Sequence, residues 1–219
     1  MKKSIAIIQT SAVSSAELKA LCDELLPDVT VYQIIDDSLI KEVNANGGPT
    51  IGVKRRMYNY YQQAESLGVD AILNQCSSVG EVADAIKPFL SIPVVKVDEA
   101  MAEKAVSLGR KIAVVATVPT TVGPSVRLIE QKAREAGREI EIETHLVKDA
   151  MMILIEQGDV ETHNKMVLSE VEAAAENCDV VVLAQGSMTV LLPLLGHIQK
   201  PVLTSPRLGI QRMKEVLGI

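Results

Sequence analysis

Short aliphatic runs alternate along this chain with longer charged, alanine-bearing segments. The runs are SIAIIQ (4–9), VTVYQII (29–35), DAILNQ (70–75), PVVKV (93–97), KIAVVAT (111–117), EIETHLV (141–147), DVVVLAQ (179–185) and PVLTS (201–205). Runs that stay aliphatic, rather than alternating apolar with polar, predict strands covered on both faces. Between them, helical spacing predicts helices over 17–26, 50–67, 79–87, 98–108, 122–136, 160–176 and 206–217. Strands alternating with helices predict an α/β fold with mostly parallel sheets covered by helices. The polar segment EVNANGGPTIG (42–52) reads as a loop.

The first half of the pattern returns in the second. KSIAIIQTS near the start has a partner in RKIAVVATVPT at 110–120, and LGVDAILNQCSS (67–78) has one in ENCDVVVLAQGSM (176–188). Counting from Asp70 and Asp179 pairs Cys76 with Gln185; aligning the Gln-Cys-Ser and Gln-Gly-Ser strings pairs Cys76 with Gly186 instead. Either register predicts two pseudo-symmetric lobes, 1–96 and 97–205, with an active-site cleft between them. The last helix (206–219) is expected to pack back on the first lobe. Open parallel sheets place ligands at the carboxyl ends of their strands, so those ends are where chemistry is sought.

Composition narrows the function classes. A formal net charge of −6 gives no general attraction to phosphate backbones or anionic lipid, so neither nucleic acid nor membrane is an expected partner. Aromatic residues make up only 2%, too few for a platform of stacked rings. Three sparse cysteines, Cys22, Cys76 and Cys178, fit a reducing, cytoplasmic setting better than a disulfide scaffold. Lys2 and Lys3 precede an apolar stretch too short for a signal peptide or a membrane span. His145, His163 and His197 share no ligand spacing with one another or with a cysteine, so no metal and no cofactor is expected. The glycines of 42–52 lack the Lys-Ser or Lys-Thr of a nucleotide loop.

The remaining candidates sit at strand ends. Cys76 follows Asn74 and Gln75 directly after an aliphatic run and precedes Ser77, Ser78 and a predicted helix. A helix start supplies N–H groups that lower a thiol pKa and hold a carboxylate, and Ser78 with Glu81 has capping-box spacing. Gln9, Thr10 and Ser11 occupy the end of the first run. Thr117, Thr120 and Thr121 surround Pro119 after the fifth, as an anion pocket at a helix start. Gln185, Gly186, Ser187 and Met188 end the seventh, where Gly186 permits close backbone approach and Ser187 donates. The faces of 98–108 and 147–157, rich in Ala, Met and Val, suggest a homo-oligomer contact.

On DAILNQCSS, AVVATVPTT and DVVVLAQGSM the chain resembles the aspartate/glutamate/hydantoin racemase superfamily over nearly its whole length. The resemblance implies a catalytic cysteine after the third strand of each lobe, and a substrate carboxylate held by backbone N–H groups and small hydroxyl residues. By it, Cys76 is the first-lobe thiol, Ser77 and Ser78 line its anion pocket, and Gln185 stands at the second lobe's reaction position. A two-base racemase needs a proton-carrying group on each face of its substrate, and a carboxamide carries none. The implied function is an isomerase at the carbon α to a carboxyl or carbonyl of a small amino acid, hydantoin or related acid, with Cys76 as acid/base. The alternatives are a decarboxylase of a malonate-like acid, a cis–trans isomerase of an unsaturated diacid in which Cys76 adds to the double bond, and a non-catalytic small-molecule binding protein. Catalysis predicts a Cys76 thiolate near neutral pH; binding alone predicts an ordinary thiol.

Overall fold

The computed structural model describes residues 2–219. It divides the chain into two compact units, one running up to Ala100 and including Pro206–Ile219, the other Met101–Ser205. In chain order the first part contains β1 (Ser4–Gln9), α1 (Ser15–Leu25), β2 (Thr30–Ile35), α2 (Ser38–Asn46), α3 (Ile51–Ser66), β3 (Ala71–Asn74), α4 (Gly80–Ile86) and β4 (Val94–Lys96). There follow α5 (Glu99–Leu108), β5 (Lys111–Ala116), α6 (Pro119–Glu135), β6 (Glu141–Leu146), α7 (Ala150–Met152), α8 (Val160–Asn177), β7 (Val180–Leu183), β8 (Val202–Thr204) and α9 (Ser205–Leu217).

Each unit holds one four-stranded, all-parallel sheet, in the order β2-β1-β3-β4 and β6-β5-β7-β8. The fold is therefore α/β with two pseudo-symmetric lobes of parallel sheet and covering helices. The central strands β1, β3, β5 and β7 are buried almost throughout, as their unbroken aliphatic sequences require. The edge strands β2 and β6 are not; Glu141 and Glu143 of β6 face solvent. Alternate residues of β1 supply two cores. Ala6 and Ile8 pack with Val53, Met57 and Tyr61 of α3, and Ile5 and Ile7 with Leu18 and Cys22 of α1 and Ile210 and Met213 of α9.

Matching details repeat in the two units. At the start of β3 the Asp70 carboxylate accepts from the Ser4 N–H at 2.8 Å, and at the start of β7 Asp179 accepts from the N–H groups of Arg110 and Lys111, both at 2.8 Å. Beyond the other end, the Gln75 N–H donates to the Ile8 carbonyl at 3.0 Å and the Ala184 N–H to the Val115 carbonyl at 2.9 Å. These bonds decide the internal alignment. Gln75 corresponds to Ala184, and Cys76 to Gln185; the alternative pairing with Gly186 does not hold.

Of residues 42–52, only 47–50 lie outside helices. Leu39 and Val43 bury one side of α2, Gly47 ends it in the left-handed conformation (φ 68°), and Thr50 caps α3 by accepting from the Val53 N–H at 3.1 Å. The two buried positions four residues apart carried the helical signal, outweighed in the sequence by the polar stretch behind them. Residues 186–194 form a 3-10 helix, and 153–157 a single π-helical stretch. The apolar face of α5 (Met101, Ala102, Ala105, Val106) is buried within the chain, so it is not an open oligomer contact. Among the described residues no helix is long and apolar enough to cross a membrane, and no group of three or more His, Cys, Asp or Glu is placed to hold a metal ion.

Candidate active site

Strand register builds the site in the first unit. Ile8 of β1 is level with Asn74 of β3, and Asn74 with Lys96 of β4. Two residues further along all three strands come Thr10, Cys76 and Asp98, one row at the carboxyl edge of the sheet. The row is coupled: the Thr10 hydroxyl hydrogen-bonds the Cys76 sulfur, as do the Ser78 N–H and hydroxyl, and the Asp98 carboxylate acts on it through charge. Ser77 bonds the Asp98 side chain.

Cys76 keeps partial solvent access as a residue, while the protein around it strips water from the thiol. Burial pushes the thiol up, the bonds from Thr10 and Ser78 pull it down, and Asp98 pushes it up again; burial prevails. In the unliganded protein the net push on the thiol is upward, away from the thiolate that the enzyme reading expects. Burial is the largest influence on the thiol. A 3-10 turn at Ser77–Val79 intervenes before α4, whose own cap position is Val79.

The backbone of Cys76 is fixed from beneath. Asn74 donates through Nδ2 to the Cys76 carbonyl at 3.0 Å, and its Oδ1 accepts from the Tyr61 hydroxyl at 3.0 Å, with Tyr61 and Asn74 both buried. Gln75 donates to the Ser14 hydroxyl at 2.9 Å. Gln9 faces α1, where its Nε2 reaches the Ser15 hydroxyl at 3.4 Å while its Oε1 is buried without a partner. Ser11 accepts from the Val13 N–H at 3.2 Å in a local turn.

The second unit repeats the row with other residues. Val115 is level with Leu183, and Leu183 with Thr204, which puts Thr117 and Gln185 at the corresponding places. Gln185 is clamped: its Oε1 accepts from the Thr117 N–H at 3.1 Å, and its Nε2 donates to the Thr117 hydroxyl at 2.8 Å. Pro119 starts α6, so Thr120 and Thr121 lie in its first turn. Gly186 and Ser187 open the 3-10 helix and Met188 is buried in the core beneath it.

Several other candidates fall elsewhere. Cys22 is a buried core thiol pushed up to about 11, chiefly by burial. Cys178 precedes β7, at the end of the sheet opposite Gln185, and burial raises it too. His197 pairs with Glu172 at 2.9 Å on an exposed surface ahead of β8, again away from Gln185. His145 is held by Glu170 at 2.7 Å.

Sequence reasoning missed Asp98. An acid directly after PVVKV was a usable signal, because it must stand at the same sheet edge as Cys76. Asp98 is buried, its Oδ1 has no hydrogen-bond partner, and burial raises its carboxyl above the ordinary carboxylate range despite Ser77 and Lys96.

A family model described as Asp/Glu/Hydantoin racemase matches residues 5–213. Similar solved structures include a glutamate racemase isoform from Bacillus anthracis, 16% identical, with a TM-score of 0.76 over 100% of this chain and 83% of that one. An aspartate racemase from Picrophilus torridus is 15% identical, with a TM-score of 0.75 over 99% and 94%. An allantoin racemase from Klebsiella pneumoniae is 17% identical, with a TM-score of 0.71 over 99% and 88%. At these identities the structures establish a shared fold. No curated protein sequence matches the chain significantly.

Proposed function

Because this chain belongs to the Asp/Glu/hydantoin racemase family, we propose that it is a cofactor-independent isomerase acting next to the carboxyl or carbonyl group of a small amino acid, hydantoin or related acid. Cys76 is the acid/base that moves the α-proton. The observation that carries this reading is the set of donors around one sulfur, namely the Thr10 hydroxyl and the Ser78 N–H and hydroxyl. Donors that stabilise a thiolate also suit a substrate carboxylate, or the enediolate oxygen that forms when the α-proton leaves.

The family resemblance calls for a second thiol where Gln185 stands. Its carboxamide moves no proton, and both polar atoms are engaged with Thr117. Proton exchange is therefore expected to outrun stereoinversion. The upward push of burial on the Cys76 thiol favours a second reading, decarboxylation of a malonate-like acid. Loss of carbon dioxide leaves an enediolate that needs one proton on one face, which a single thiol supplies.

Three arginines weighed for reach to a second substrate anion, Arg55, Arg56 and Arg207, offer it little. Arg56 is bonded to Asp36, Ser38 and Glu42, Arg207 pairs with Glu24 at 2.7 Å, and Arg55 is exposed. Substrates with one carboxylate, or a neutral hydantoin ring, are favoured; tight aspartate binding contradicts that preference. The test is proton NMR in D₂O with amino acids, hydantoins and substituted malonates, beside Cys76→Ser. Exchange or decarboxylation that disappears in the variant supports the assignment, and activity unaltered by the substitution overturns it.

A further inference from the structure

Asp98 is the one acid in the row that contains Cys76, and its surroundings are unusual for a carboxylate. It is buried with Oδ1 unpartnered. Its other support comes from the Ser77 hydroxyl and its own backbone. The positive charge beside it, Lys96, is drawn away to Asp84 at 2.6 Å. Lys87 sits between Asp84 at 3.4 Å and Glu99 at 3.2 Å, and Glu99 also accepts from the Lys96 N–H. From α3, Tyr61 is a buried neutral phenol coupled to both Asp84 and Cys76. Thus Lys96, Glu99, Asp84, Lys87 and Tyr61 surround the pair, and none delivers a cation to Asp98 by direct contact.

We propose that Asp98 and Cys76 form a coupled acid pair, in which Asp98 is a positioning residue that governs when the thiol gives up its proton. The inference rests on the reading of Cys76 as the reacting thiol. Two acids in one desolvated row carry a single negative charge far more readily than two. While Asp98 is ionised, Cys76 stays protonated and is a proton donor. While Asp98 is neutral, Cys76 is free to hold the charge, stabilised by Thr10 and Ser78. The protonation of one carboxyl, which never touches the substrate carbon in this scheme, thus selects whether the thiol serves as acid or base.

The test is the pH dependence of iodoacetamide alkylation of the full chain, read by mass spectrometry on the peptide carrying Cys76, for the wild type, Asp98→Asn and Asp98→Glu. Asp98→Asn is expected to lower the midpoint by about one pH unit or more, which is roughly tenfold faster alkylation below the midpoint. Asp98→Glu is expected to stay near the wild type. An unchanged midpoint in folded Asp98→Asn, or an equal shift in both variants, overturns the pairing. If Asp98→Asn does not fold, infrared spectroscopy of the wild type replaces it. A protonated-carboxyl band persisting above the ordinary carboxylate range, and altered when Cys76 is alkylated, is expected; no change on alkylation overturns the proposal. Neither readout needs turnover. An inert protein that shows the shift loses the isomerase reading alone, and an active one without the shift loses only the pairing.

Discussion

Tyr61→Phe isolates the support beneath Cys76. The substitution removes one hydroxyl and leaves the ring filling its place in the core. Tyr61 is 0% exposed and Asn74 1%, so water does not replace the lost donor at Asn74 Oδ1. A buried carbonyl oxygen stripped of its donor costs about 1–3 kcal/mol, more than the roughly 0.5–1.5 kcal/mol net worth of an average hydrogen bond. Taking about 2 kcal/mol, and about 2–4 °C of Tm per kcal/mol for a chain of this size, the expected fall is roughly 4–8 °C. Tyr58→Phe is the control, since the Tyr58 hydroxyl accepts from Gln62 at an exposed position, and its removal should stay within about 0.5 kcal/mol. Asn74 also holds the Cys76 carbonyl, so Tyr61→Phe should change the alkylation rate of Cys76 as well as the melting temperature. Equal Tm changes in the two variants would refute the claim that the Tyr61–Asn74–Cys76 chain is a buried, fully paired support.

Two further outcomes follow from backbone contacts. A Cβ at Gly209 of α9 would stand 2.6 Å from the Val97 carbonyl oxygen and 2.9 Å from its Cα, so Gly209→Ala should cost about 1–3 kcal/mol or more in urea unfolding and disturb the adjacent Asp98; an unchanged midpoint contradicts that packing. Asp70 is held below the ordinary carboxylate range, first by the Ser4 N–H and then by Lys3. A depressed folded pKa gives stability that is present above the unfolded value, about 4, and lost as pH falls through the folded one. Thermal melts should therefore show Asp70→Asn less stable than the wild type at neutral pH, with the gap closing below about pH 4; a gap independent of pH refutes the linkage.

Much of the frame was legible because the inner strands are aliphatic on both faces and the helices between them are periodic. All eight strands lie where the runs predict, within a residue or two at their ends. The 3-10 helix at 186–194 was not legible, since GSMTVLLPL is apolar without helical period and contains Pro193. At the site, the strand-end positions of Thr10, Cys76, Thr117 and Gln185 could be read from the runs alone. Their lateral partners could not. That Thr10, Cys76 and Asp98 share a row depends on which strands are neighbours and on their register, and parallel pairings across tens of residues leave no local trace. The upward push on the Cys76 thiol was hidden for a related reason. A helix start is visible in sequence, whereas the burial that outweighs it is a property of the packed unit.

The two rows explain why one fold can keep its symmetry and divide its chemistry. In both units a threonine at the end of the first strand bonds the residue that follows the third: Thr10 the Cys76 sulfur, Thr117 the Gln185 carboxamide. Asp70 and Asp179 brace the opposite end of each sheet in the same way. The scaffold is thus duplicated while the titratable content is not. Cys76 shares its row with Asp98, and Gln185 is held by Thr117, which does not ionise. A duplicated sheet needs its threonine and its register to hold a polar residue at that edge, and it holds a carboxamide at Gln185 as it holds a thiol at Cys76. On the proposed reading, the carboxamide has no proton to move. The asymmetry therefore bears on the direction and stereochemistry of the reaction rather than on whether a site exists. On these grounds Gln185→Cys, which needs no change in Thr117, is the substitution expected to add inversion to exchange, measured as racemisation of a substrate that already exchanges its α-proton. Exchange without any gain of inversion in a folded Gln185→Cys protein would break the proposed equivalence of the two positions.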